Sequence, residues 1–288
     1  MAWLPNERYE NTLTQHLLDT AVVAAGIEGI RKRIGALACR LEKTGLAGED
    51  EVLSLIFSSL LLHDLGKGCS KHQESFRKRG REPSFPYHEV VSAIILTRSI
   101  TESSRLRSLL GGDEIAPAIV YAVLSHHQAM EGRAIEILHE GREELASNVV
   151  FKCGKLLAGE LSYTLIELSE NLPKALSNSM SQKIIERIVE IVEEVRSSVC
   201  DLDLRSETLL LYSSLAEEEG GYELLRKFIE NYDQRVWQLA YVASGITMTS
   251  DTLAASAERG GGVRGLTHSL LRELGIKIED IDKILRGS

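Results

Sequence analysis

Residues 51–68 read EVLSLIFSSLLLHDLGKG. The run is strongly apolar up to Leu65, and Gly66 and Gly68 are the kind of residue that ends a helix. Its length and composition predict a buried helix over residues 51–65 with His63 and Asp64 at its end. Neighbouring helical residues point about 100° apart, yet at a helix end both side chains can enter one pocket. A buried imidazole beside a buried carboxylate is costly unless positive charge sits between them, and a divalent cation supplies it. A His-Asp pair exposed at a turn would need no such ion, and two letters alone do not decide. HDxGK after six apolar or small residues is a more specific signal.

The helical pattern continues in both directions. Residues 11–25, NTLTQHLLDTAVVAA, place Leu13, Leu17, Ala21 and Ala24 on one face. Pro86 is expected in the first turn of a helix through YHEVVSAIILTRS, and Pro117 in that of PAIVYAVLSHHQ. Residues 182–199 repeat Ile and Val at three- and four-residue spacing, as a helix with one buried face does. Helices are also expected over 205–216, 221–230 and 232–258, ending at the Gly260–Gly262 run, and around 266–273 and 278–286. With no alternating strand pattern, Pro-rich linker or repeat, the simplest account is one all-α domain. Residues from about 135 to 231 read as a helical insertion.

Each remaining histidine has a bland explanation when taken alone. His126 and His127 end an apolar helix, and two adjacent neutral imidazoles suit Mn, Fe, Co, Ni or Zn better than Mg. An exposed polar helix end would look the same. His88 opens a helix near its apolar face, where a packing or capping residue is common. His16 lies within an apolar helix, and Asp19, one turn on, is placed to orient its ring. Asp251 interrupts the charge-free stretch ITMTSDTLAAS, either as a cap after a break or as a ligand. His72, His139 and His268 lie in charged or loop-like surroundings and receive no role, although His72 is close to a basic run.

The chain has 288 residues, is 43% apolar and carries a net charge of −9 from 33 basic and 42 acidic residues. Such a protein is not a general nucleic-acid binder, because attraction to phosphate needs local positive charge. Residues 67–81, KGCSKHQESFRKRGR, hold Lys67, Lys71, Arg77, Lys78, Arg79 and Arg81 in what reads as a loop, which could equally be a solvated face. Five Phe, eight Tyr and two Trp are too few for base stacking to dominate binding. Cys39, Cys69, Cys153 and Cys200 form no CxxC pair, which argues against a disulfide framework and a thiolate zinc site and suits a reducing cytosol. The N-terminus lacks the apolar core of a signal peptide. The longest charge-free stretch, Val236 to Ser250, is too polar to span a membrane. A soluble, cytoplasmic protein is expected.

Taken in order, the motifs LTQHLLDTAVVAA, LLHDLGKG with a nearby HQESF, YHEVVSA, LSHHQ and TSDTLAAS resemble the HD nuclease of CRISPR type I interference systems. The likeness covers residues 10–131 and 236–256, and the number and order of motifs make it specific. It implies an HD-domain helical bundle over 1–288, with the metal-site core in those two segments and the insertion between them. By that resemblance His16, His63, Asp64 and Asp251 hold one divalent ion, while bridging Asp64 with His88, His126 and His127 holds a second. The ions would be Mn, Ni, Co, Fe or Mg. Gln128 stands where the family usually has glycine.

The implied reaction is hydrolysis of phosphodiester bonds in single-stranded DNA, with RNA as a further substrate, and with Asp64 and Lys67 as catalytic residues. Lys71, Arg77, Lys78, Arg79, Arg81, Arg259 and Arg264 would follow the strand backbone. No Walker A motif or DExH box occurs, so the chain resembles the stand-alone form that works with a separate superfamily 2 helicase and a CRISPR effector complex. The alternatives are an HD-type phosphohydrolase of nucleotides or cyclic nucleotides, the latter lacking its GYP motif here, and a non-catalytic scaffold subunit.

Overall fold

The computed structural model describes residues 12–79, 85–127, 141–216, 218–230, 233–258 and 265–286. The described residues form helices with no strand. They are α1 (Leu13–Gly26), α2 (Glu28–Lys43), α3 (Glu49–Leu62), a 3-10 turn (Leu65–Gly68), α4 (Ser70–Arg79), α5 (His88–Glu102), α6 (Ser104–Leu109) and α7 (Gly112–Ser125). After them come α8 (Arg142–Cys153), α9 (Ala158–Leu176), α10 (Gln182–Ser198), α11 (Leu204–Leu215), α12 (Glu223–Glu230), α13 (Gln234–Glu258), α14 (Gly265–Leu274) and α15 (Ile278–Arg286). No helix among the described residues is long and apolar enough to cross a membrane.

The centre of the bundle is α1, α3, α5, α7 and α13. Leu13, Leu17, Ala21 and Ala24 of α1 are buried as the periodicity predicts. Two hydroxyl pairs bring α13 close to its neighbours: Ser59 with Thr247 at 3.1 Å on the α3 side, and Ser125 with Ser244 at 3.0 Å on the α7 side. These small residues let α13 run close to both helices, one and two turns before Asp251.

Residues 141–230 pack onto this bundle. The α9–α10 hairpin lies against α1, α3 and α5, and the α8–α11 pair against α5, with α8 also touching α4. Leu161, Leu165, Leu168 and Leu172 of α9 and Ile184, Ile188, Ile191 and Val195 of α10 belong to the same buried apolar cluster as α1 and α3. Each such side chain contributes about 1.5–3 kcal/mol on burial. Thr14 of α1 donates to Glu167 of α9 at 2.9 Å.

Local boundaries differ from expectation at several points. The helix through the apolar stretch stops at Leu62, and Gly66 and Gly68 lie inside the 3-10 turn that follows. Pro86 precedes its helix, because left-handed Tyr87 (φ 63°) intervenes before His88. Pro117 is inside α7, which already starts at Gly112. The basic run is a helix rather than a loop through Arg79, since nothing from Ser70 to Arg79 breaks a helix. It is stapled to the bundle by a disulfide between Cys69 and Cys153, with Cα atoms 4.9 Å apart, against the expectation of unpaired cysteines. Eighty-four residues separate the pair, a partnership that spacing does not reveal. Beside it Ser70 N donates to Lys155 O at 2.8 Å, and Leu157 N to Gly68 O at 3.0 Å.

Candidate metal centre

The last turn of a helix leaves four carbonyl groups without backbone partners. His63 caps α3 by giving Nδ1–H to Leu60 O at 2.8 Å, and His126 caps α7 by giving it to Val123 O at 2.6 Å. His88 reaches the carbonyl three residues back in the same way, Phe85 O at 2.5 Å. A carbonyl only accepts, so each bond fixes the proton on Nδ1 and turns Nε2 inward. The paired spellings His-Asp and His-His thus place two side chains beyond each helix end, where both enter the centre.

The turn after His63 is held by glycines that tolerate close neighbours. A Cβ on Gly66 would collide with the main-chain oxygen of His88, and one on Gly68 with the Leu161 side chain at 2.6 Å. Gly66 N donates to Ser92 Oγ at 2.8 Å, and Ser92 Oγ donates to His88 O at 2.8 Å. The YHEVVSA stretch is therefore locked onto LLHDLGKG by backbone contact, not merely by side chains.

Seven of the predicted residues converge. His16, His63, Asp64 and Asp251 can offer ligand atoms within 4.8 Å of one another, and so can Asp64, His88, His126 and His127. Asp64 belongs to both groups, and its two oxygens divide them. Oδ2 is 3.1 Å from His16 Nε2 and 3.3 Å from His63 Nε2, whereas Oδ1 is 3.0 Å from His88 Nε2 and 3.9 Å from His126 Nε2. Asp251 Oδ1 lies 3.1 Å from His16 Nε2 and 3.8 Å from His63 Nε2. His127 Nε2 faces His88 Nε2 at 2.9 Å.

These atoms are close, yet four of them lack a hydrogen-bond partner: His16 Nε2, His63 Nε2, His126 Nε2 and Asp64 Oδ1, the Lys67 ammonium reaching only Oδ2. All four residues are at most 2% exposed. An unsatisfied buried polar atom costs about 1–3 kcal/mol, so four together would be a heavy penalty without further compensation. Divalent cations fit this donor set of inward imidazole nitrogens and carboxylates.

A family model, the HD domain of Cas3, matches residues 5–258. The chain belongs to the Cas3 HD-domain family. It is thus an HD-superfamily hydrolase domain of the metal-dependent nuclease type found in CRISPR systems. Neither the curated proteins nor the solved structures yield a match.

In this Cas3 HD domain, electrostatics differs from one histidine to the next. Burial lowers the His16 ring, but Glu258, Asp251 and Asp64 reverse that, and its pKa is raised well above the ordinary value. Burial likewise lowers His63, and Asp64 and Asp251 bring it up to about 9. Burial and the neighbouring imidazoles push His126 well down, and burial and His88 push His127 down to about 3. Asp64 and Asp251 are held well below the usual carboxylate range, because the facing histidines outweigh burial. The Lys67 ammonium pairs with Asp64 Oδ2 and lies 5.5 Å above the Phe85 ring.

Two residues depart from the sequence expectation. Asp19 does not hold the His16 ring: its Oδ1 accepts from Gln15 Nε2 at 2.7 Å, and Glu258 takes the ring's Nδ1 at 2.9 Å instead. Glu258 lies seven residues after Asp251 and shares its helix face, but only the way α13 lies across α1 brings it to the ring. His72 is buried rather than loop-like, edge-on to Phe85 at 5.5 Å, and burial pushes it down to about 4.

Lys71 is exposed, and its Nζ donates to Phe151 O at 2.7 Å. Arg77, Lys78 and Arg79 have backbone in α4, with side chains outside the described residues. Arg81, Gln128, His139, Arg259, the 260–262 glycines and Arg264 also lie outside the described residues. His268 is exposed on α14.

Proposed function

We propose that this chain is a single-domain nuclease that hydrolyses phosphodiester bonds in single-stranded DNA, with RNA a second substrate. The supporting observation is Asp64, a fully buried carboxylate whose two oxygens face two separate ligand groups. His16, His63, Asp64 and Asp251 would hold one divalent ion, and Asp64, His88, His126 and His127 another, with Mn, Ni, Co, Fe or Mg as candidates. When bound, such ions supply Lewis acidity and lower the pKa of water, both of which speed phosphodiester hydrolysis.

The chain's own residues do the rest. Nδ1 bonds to Leu60, Phe85, Val123 and Glu258 orient four of the rings before substrate arrives. Lys67, with a side chain only 12% exposed, neutralises Asp64 and stands ready to stabilise negative charge gathering on the phosphate. Lys71, Arg77, Lys78, Arg79, Arg81, Arg259 and Arg264 would track the strand.

A pocket at helix ends admits one strand, and opening a duplex needs a motor. We therefore assign delivery of the strand to a separate superfamily 2 helicase within a CRISPR effector complex, in the cytoplasm. The test is incubation with Mn²⁺ or Ni²⁺ and three substrates: single-stranded DNA, duplex DNA and free nucleotides. Cleavage of single-stranded DNA with duplex spared is expected. Rapid hydrolysis of free nucleotides with oligonucleotides untouched would overturn the assignment in favour of a nucleotide phosphohydrolase.

A further inference from the structure

Three metal-facing histidines are held by main-chain carbonyls, but His16 is held otherwise. It lies within α1, where the carbonyls before it are consumed by the helix; Thr12 O, for instance, accepts from His16's own N–H at 3.0 Å. A ring in that position must find a side-chain acceptor. Glu258 provides it, with Oε1 2.9 Å from His16 Nδ1. Asp251 touches the opposite nitrogen of the same ring at 3.1 Å. Seven residues is close to two helical turns, so α13 grips one imidazole with two carboxylates from one face. His88 has a nearby carboxylate too, Glu89 at 3.3 Å, but its Nδ1–H is already given to Phe85 O.

We infer that Glu258 is a positioning residue for His16: it fixes the ring's tautomer and aim, and so strengthens metal binding in the His16–His63–Asp64–Asp251 half alone. The inference rests on the dinuclear centre proposed above. An acceptor carboxylate behind a ligating imidazole holds the proton on Nδ1, so the inward nitrogen is the one that gives up its proton to a metal, and it makes the ring a stronger donor. Glutamine at 258 would keep an acceptor oxygen but lose the charge; alanine would lose both.

The experiment is calorimetric titration of the full chain with Mn²⁺ for wild type, Glu258→Ala and Glu258→Gln, with circular dichroism to confirm folding. Two binding events are expected for wild type. Glu258→Ala should weaken one of them by about 10- to 100-fold and leave the other in place. Glu258→Gln should fall between wild type and Glu258→Ala at the same event. Unchanged binding in Glu258→Ala overturns the inference, as does equal weakening of both events. If Glu258→Ala does not fold, Glu258→Gln decides: wild-type affinities in it overturn the inference. A wild type that binds no Mn²⁺ instead defeats the dinuclear centre itself.

Discussion

The two halves of the centre use the same residue type at similar burial and shift its pKa in opposite directions. On the Oδ2 side of Asp64, His16 and His63 face Asp64, Asp251 and Glu258, and their pKa values rise. On the Oδ1 side, His126 and His127 face His88 and each other, and theirs fall. Burial alone would lower all four. What faces each ring decides the outcome. The carboxylate-rich half therefore keeps protons that a metal has to displace, while the imidazole-rich half presents lone pairs that are already free.

Removing the shared residue should have the largest effect. Asp64→Ala should lose metal from both halves and cut activity to background, as measured by elemental analysis and single-turnover cleavage. Full metal content in that variant would show that the halves do not share a ligand. Next in size is Lys67→Ala, which removes the cation on the Oδ2 side. It should slow cleavage at saturating strand by roughly 10²–10³-fold, the scale of one missing charge-stabilising donor, with little change in affinity. His126→Ala touches one half only. Mn²⁺ titration should show the carboxylate-rich event intact and the other weakened more than about 100-fold, beyond the effect of removing an outer partner.

A pH series sharpens the contrast without any mutation. In chelator-treated protein, the His63 ring at about 9 is raised above its ordinary 6.5. It contributes stability fully below pH 6.5, and that contribution is lost as pH rises through 9. The Tm of stripped protein should therefore fall across this window, and reloading with metal, which holds the ring neutral, should flatten the curve. Equal curves for both forms would mean that the carboxylate-rich half does not store a proton. The smallest effect belongs to a region outside both halves. Neutralising Arg77, Lys78, Arg79 and Arg81 should reduce the salt slope of single-strand binding by about 0.7 for each phosphate no longer neutralised, with metal content unchanged.

The helices were legible because their signals are local: apolar spacing marks α1, α10 and α13, and the seven convergent residues stand at recognisable helix ends or apolar faces. Long-range partnerships were not. The Cys69–Cys153 disulfide spans 84 residues, and the choice of Glu258 over Asp19 depends on how α13 lies across α1. His72 sits among polar residues in the chain, yet α4 turns it inward against Phe85, a burial that composition concealed. The packing of α9 against the 3-10 turn, and of α8, α10 and α11 against the helices beside it, is likewise tertiary, and from sequence those residues resembled mere decoration.

Five imidazoles and two aspartates make up the converging set, and this proportion has an electrostatic consequence. An imidazole lends a lone pair without cancelling charge. With two dications in place, the aspartates return only half of the positive charge, and a centre lined mainly by neutral rings becomes locally cationic. The chain as a whole carries −9, a balance that disfavours nucleic acid. Loading the centre would thus add positive charge near the basic run at 67–81, against the acidic balance of the whole chain, and the metal would then serve strand capture as well as chemistry.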